Sequence, residues 1–146
     1  MATTKIPVMV AVWLVVCAAL ALAAQPGAAQ ARYRIQVQKN VRIPMRDGVT
    51  LAADVYRPDA EGRFPALVQV SYYVTGAGPA DFFVPRGYVC VFANSRGRGG
   101  SEGAWDPYVN EPQDGFDAQQ WVGRQPWCDG KVGTFGQSYN AFTQIM

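Results

Sequence analysis

The sequence predicts an α/β protein: a parallel sheet covered by helices and preceded by an antiparallel hairpin. Three observations predict it. Two alternating apolar runs flank Arg46-Asp47-Gly48, the pattern of half-buried strands joined by a tight turn. Short apolar runs recur at 66–70, 87–93 and 131–135, as expected of strands covered on both faces. Helix-compatible stretches at 81–86 and 113–124 lie between them, the alternation of a parallel sheet with crossover helices.

Residues 8–24 carry no charged or polar side chain apart from the thiol of Cys17, and Lys5 is the one charge before them. Pro26 and Gly27 follow, and Ala29-Gln30-Ala31 fits a small-x-small cleavage pattern. An export signal is therefore expected over 1–31, with the mature chain starting at Arg32 and the protein secreted or periplasmic. The rival reading is an uncleaved anchor, the one case in which a membrane is an expected partner. Lipid attachment at Cys17 is disfavoured, because Val16 stands where a small residue is needed. Residues 32–146 are then read as one domain.

Within it, Val41, Ile43 and Met45 alternate before the turn, and Val49, Leu51, Ala53 and Val55 after it; Arg57-Pro58-Asp59 ends the hairpin. The run at 66–70 follows Phe64-Pro65 and reads as a buried strand, as does the run at 87–93. On the helix over 113–124, Phe116, Trp121 and Val122 are assigned to one face. Asp114 and Asp117 sit near its N-terminus, where the helix dipole favours them. A further helix is expected to begin after Ser138. The sheet so read ends with an apolar edge, so the domain is expected to be the N-terminal part of a larger one.

Composition removes several function classes. Apolar residues make up 49% and charged ones 16%, which excludes a disordered interaction protein. A net charge of +2 is too small for a nucleic-acid footprint. With no histidine and three cysteines, no metal site is expected, and no cofactor motif is found. Gly97-Arg98-Gly99-Gly100-Ser101-Glu102-Gly103 places Glu102 where a dinucleotide loop needs glycine. It reads instead as a loop at the C-terminal end of a strand, with Arg96 in structural ion pairs. Trp105, Tyr108, Trp121 and Trp127 read as packing residues rather than a sugar-stacking surface.

Gly133-Thr134-Phe135-Gly136-Gln137-Ser138-Tyr139-Asn140-Ala141 carries the chemistry. It follows a predicted strand and opens a predicted helix, where a serine sits on a strained turn with its hydroxyl above the sheet. Gly136 permits the tight turn, and the new helix aims backbone N–H groups at charge developing nearby. Asn140 occupies the last place of the literal G-x-S-x-G pattern, and Ala141 supplies a small residue one step later.

Further blocks occur in order: Pro44-Met45-Arg46-Asp47-Gly48-Val49-Thr50-Leu51-Ala52-Ala53-Asp54-Val55-Tyr56-Arg57-Pro58, Ser95-Arg96-Gly97-Arg98-Gly99-Gly100-Ser101-Glu102-Gly103, Glu111-Pro112-Gln113-Asp114-Gly115-Phe116-Asp117 and Gln125-Pro126-Trp127-Cys128-Asp129-Gly130-Lys131-Val132-Gly133. With Gly136-Gln137-Ser138-Tyr139, these resemble the cocaine-esterase and X-Pro dipeptidyl-peptidase family of serine hydrolases. The resemblance implies an α/β-hydrolase sheet, here its N-terminal portion up to the nucleophile turn. It implies Ser138 as nucleophile on an ester, amide or X-Pro peptide carbonyl. The N–H of Tyr139 becomes one oxyanion donor, and the phenol of Tyr73, in Ser71-Tyr72-Tyr73, the other. Cys90 and Cys128 fall on strands that are not neighbours in that fold, so free thiols are expected. The family's helical cap and C-terminal β-sandwich have no counterpart in these residues.

Such a serine needs a histidine base and an acid to orient it, both after the serine in chain order. The sequence has no histidine, and Asp129 is expected roughly 25 Å away along the same strand. This chain alone is therefore expected to be inactive. The alternative reading is a non-catalytic exported binding domain on a hydrolase scaffold.

Overall fold

The computed structural model describes residues 32–73 and 78–145; the segment read as an export signal, 1–31, lies outside them. Strands β1 (Ile35–Pro44) and β2 (Thr50–Pro58) form the hairpin. They are followed by β3 (Phe64–Ser71), α1 (Gly78–Phe83), a 3-10 turn (Val84–Arg86) and β4 (Val89–Asn94). Helix α2 (Glu111–Gly123), β5 (Cys128–Thr134) and the short α3 (Tyr139–Phe142) complete the order. The sheet runs β1-β2-β4-β3-β5. Antiparallel β2–β4 pairing joins the hairpin to a parallel β4–β3–β5 core.

Alternation along β4 divides two hydrophobic layers. Val89, Val91 and Ala93 join Val68, Val70, Leu51 and Val55 beneath Ala118 and Val122 of α2. Cys90 and Phe92 point the other way, against Ala80 of α1 and Val84 of the 3-10 turn. Both faces are covered, which is why this strand has no polar alternation in its sequence. Cys90 on β4 and Cys128 on β5 are buried free thiols, held apart by the intervening β3.

Two sequence expectations need correction. Strand β1 begins at Ile35, well before Val41. A register shift between Gln38 and Val41, with Asn40 at φ 55°, breaks the alternation there, so only the half after the bulge is patterned. On α2 the inward face is Glu111, Asp114, Gly115, Ala118 and Val122; of the three residues expected there, Val122 is buried and Trp121 packs against the core, but Phe116 points outward. Phe116 is 53% exposed and lies beneath the Arg46 guanidinium. Small residues win the inward face because the helix lies close to β3 and β5, and the buried acids are admitted because each has a partner.

Arg96 is the partner that matters most for the fold. It grips both oxygens of Asp114 at 2.7 Å and reaches Asp47 of the hairpin turn at 2.6 Å. Three segments that are distant in sequence are thereby tied together at one end of the sheet. The arginine beside Asp47 holds that carboxyl below its ordinary range. The glycine-rich loop after β4 runs alongside β2: Glu102 and Thr50 exchange hydrogen bonds, and the Ser101 hydroxyl accepts from the Ala52 N–H.

Candidate active site

Strand β5 is unusually polar, yet its exit is anchored. Phe135 packs against Phe83 and Phe92, and its carbonyl accepts from the Gln69 side chain at 3.3 Å. The chain then reverses within Gly136, Gln137 and Ser138. Ser138 has φ 58° and ψ −129°, a combination that L residues avoid and that costs roughly 1–3 kcal/mol. Its carbonyl accepts from the N–H groups of Ala141 and Phe142 at 3.0 and 3.1 Å, starting α3, while the residue itself is exposed. Because glycine tolerates these angles, Ser138→Gly is expected to raise the unfolding free energy by roughly 1 kcal/mol, measured by chemical denaturation.

Gly136 is required by space. A Cβ there would lie 2.6 Å from Asn140 Cβ and 2.9 Å from the Asn140 carbonyl carbon. The turn can bring β5 against the first turn of α3 only without a side chain at this position. Thr143 secures the other end of α3, donating to the Val70 carbonyl at 3.3 Å.

Tyr139 follows the bend. Among the described residues its backbone N–H has no hydrogen-bond acceptor, whereas the residue as a whole is 9% exposed and its ring is firmly held. The phenol donates to the buried carboxylate of Glu111. Burial first, then the Glu111 contact, push the phenol up to about 12. Tyr72 and Tyr108 pack on the Tyr139 ring at centroid distances of 4.7 and 5.0 Å, and Tyr72 stacks on Trp105 at 5.0 Å.

Tyr73 stands just past the end of β3, 42% exposed, with its N–H bonded to Ser71 Oγ. Its ring lies 4.0 Å from that of Tyr72. One aromatic ring thus separates the two tyrosines that the sequence singles out, and both belong to the cluster beside the bend. Asp129 opens β5 at the end opposite Ser138, with its carboxylate turned back to the Lys131 N–H. Glu111 is the participant that sequence reasoning missed. An acid in the first turn of a helix, next to Pro112, looks like ordinary dipole compensation, and nothing local signals its bond to Tyr139.

The sequence and the fold have counterparts among known proteins. The X-Pro dipeptidyl-peptidase (S15 family) profile matches residues 47–146. The chain is 43% identical over 116 residues to the cocaine esterase of Rhodococcus sp. (strain MB1 Bresler), spanning 74% of this chain and 20% of that protein. Among solved structures, a CocE/NonD family hydrolase from Staphylococcus aureus superposes with a TM-score of 0.69 at 28% identity, covering 75% of this chain and 24% of the other. An alpha-amino acid ester hydrolase gives a TM-score of 0.65 at 27% identity, over 82% and 24% of the two chains. The chain spans about a fifth of the curated relative's length. The sheet order, the bend after β5 and these likenesses lead to one assignment: the chain is an α/β-hydrolase sheet portion and belongs to the X-Pro dipeptidyl-peptidase (S15) family.

Proposed function

We propose that Ser138 is the nucleophile of an exported serine hydrolase acting on ester or amide bonds, X-Pro peptide bonds among them. The observation that carries this reading is the strained, solvent-exposed bend at Ser138. Ordinary turns do not hold a non-glycine residue at such angles without a reason in the surroundings.

In this reaction Ser138 Oγ bonds to the carbonyl carbon while the π electrons move onto the carbonyl oxygen. The free N–H of Tyr139 and the phenol of Tyr73 are the donors to that oxyanion, and both are neutral. Collapse expels the alcohol or amine, and water then releases the acid from the acyl-serine. The proton of Ser138 needs a base. None of the 146 residues is a histidine, so this reading requires a histidine base that these residues do not supply, oriented by an acid. The chain alone is expected to show no esterase turnover.

The test is fluorophosphonate labelling of the full-length gene product that carries this chain. Labelling that disappears in Ser138→Ala supports the enzyme. A folded full-length protein that no fluorophosphonate labels supports instead a binding domain on a hydrolase scaffold.

A further inference from the structure

Glu111 is the least expected group in the molecule. It is the first residue of α2, is 3% exposed, and has no basic side chain as a partner among the described residues. One carboxylate oxygen accepts from the Tyr139 phenol, and the other has no hydrogen-bond partner. Glu111 lines a narrow cleft together with Ser95, Arg96 and Trp105, and the Ser95 hydroxyl and Trp105 indole N–H are likewise without hydrogen-bond partners. Burying a half-satisfied carboxylate is costly, and an apolar residue of similar volume would remove that cost. What the carboxylate does provide is a hold on Tyr139.

That hold matters because of where it sits. Ser138 is kept in angles that favour relaxation, and a strained residue persists only when its surroundings over-determine it. Tyr139 has two functional ends. Its N–H faces no acceptor among the described residues; its phenol is fixed to a different helix, 28 residues earlier in the chain. The hydrogen bond spans from α2 to the residue adjoining the bend, so it restrains the rotation of the peptide that carries the N–H. Tyr72 and Tyr108 pack on the ring from its sides, and the Glu111 carboxylate accepts from the phenol at its tip.

We propose that Glu111 is a positioning residue for the Ser138 site, holding the Tyr139 phenol so that the Tyr139 N–H stays aimed at the developing oxyanion. This rests on the reading of Ser138 as nucleophile. Glu111 touches no reacting atom; it acts through Tyr139.

The experiment uses the full-length gene product, with p-nitrophenyl acetate as substrate and a fluorophosphonate as label. Glu111→Ala is expected to lower kcat by about 10- to 100-fold while KM stays within about twofold, because a misaimed oxyanion donor affects the transition state more than substrate binding. Glu111→Gln, which keeps an acceptor oxygen in the same shape, is expected to recover most of that loss. Tyr139→Phe deletes a single hydroxyl and is expected to match Glu111→Ala; it also serves if the alanine variant fails to fold. The double variant is expected to be no worse than either single one, as for groups acting as a unit. A kcat near that of the parent in Tyr139→Phe, or a glutamine variant as slow as the alanine one, overturns the role of Glu111 while Ser138 still labels. A parent protein that does not label overturns the nucleophile reading, and this proposal with it.

Discussion

Replacing Gly136 with alanine is expected to slow fluorophosphonate labelling of Ser138 in the full-length protein by about 100-fold or more, the scale on which ångström misplacement acts. The added Cβ would meet Asn140 Cβ at 2.6 Å, Gln144 Nε2 at 2.7 Å and the Asn140 carbonyl carbon at 2.9 Å. The glutamine tip can swing aside, but Asn140 is the second residue of α3, and its backbone cannot move alone. Relief must shift the first turn of that helix, and the Tyr139 N–H and Ser138 Oγ move with it. The accompanying loss of stability should stay in the overpacking range of about 1–3 kcal/mol, so the effect on labelling greatly exceeds the effect on folding. An alanine variant that labels at the parent rate would show that the bend tolerates a side chain there and that its tightness is not needed.

Asp114→Ala is expected to cause the largest loss of stability, about 3 kcal/mol, read as a lower denaturation midpoint at unchanged slope. Arg96 is 11% exposed and Asp114 4% exposed at the side chain, so the pair is held out of water with bidentate geometry. Removing the carboxylate leaves the guanidinium buried with Asp47 alone, which is itself 46% exposed. The cost is mainly that of an under-compensated buried charge. Asp47→Ala is the comparison: its carboxylate is screened by solvent, and its loss should lower the denaturation midpoint clearly less than that of Asp114. Equal losses in the two variants would contradict this division of roles.

The hairpin turn, the buried strands β3 and β4, and the bend at Ser138 were legible in the chain because each depends on neighbours close in sequence. Alternation about Arg46-Asp47-Gly48 and the small Gly136 before Ser138 are local signals. The first half of β1 was hidden because the irregularity near Asn40 cancels its period. On α2 apolar size is only a partial guide to the inward face: Val122 is buried and Trp121 packs against the core, whereas Phe116 points outward. In fact close helix–sheet approach selected Gly115 and Ala118, while Asp114 was drawn inward by Arg96.

By itself, then, the sequence determined the class of sheet, the family and the position of the bent serine, all properties written in residues adjacent along the chain. Only the tertiary structure decided that Glu111 reaches Tyr139 across 28 residues and that Arg96 clamps the hairpin turn to α2. It also decided that Tyr73 stands one ring away from Tyr139. The physical reason is that charge pairing and ring packing are chosen by proximity in space, and folding sets that proximity after local preferences have acted.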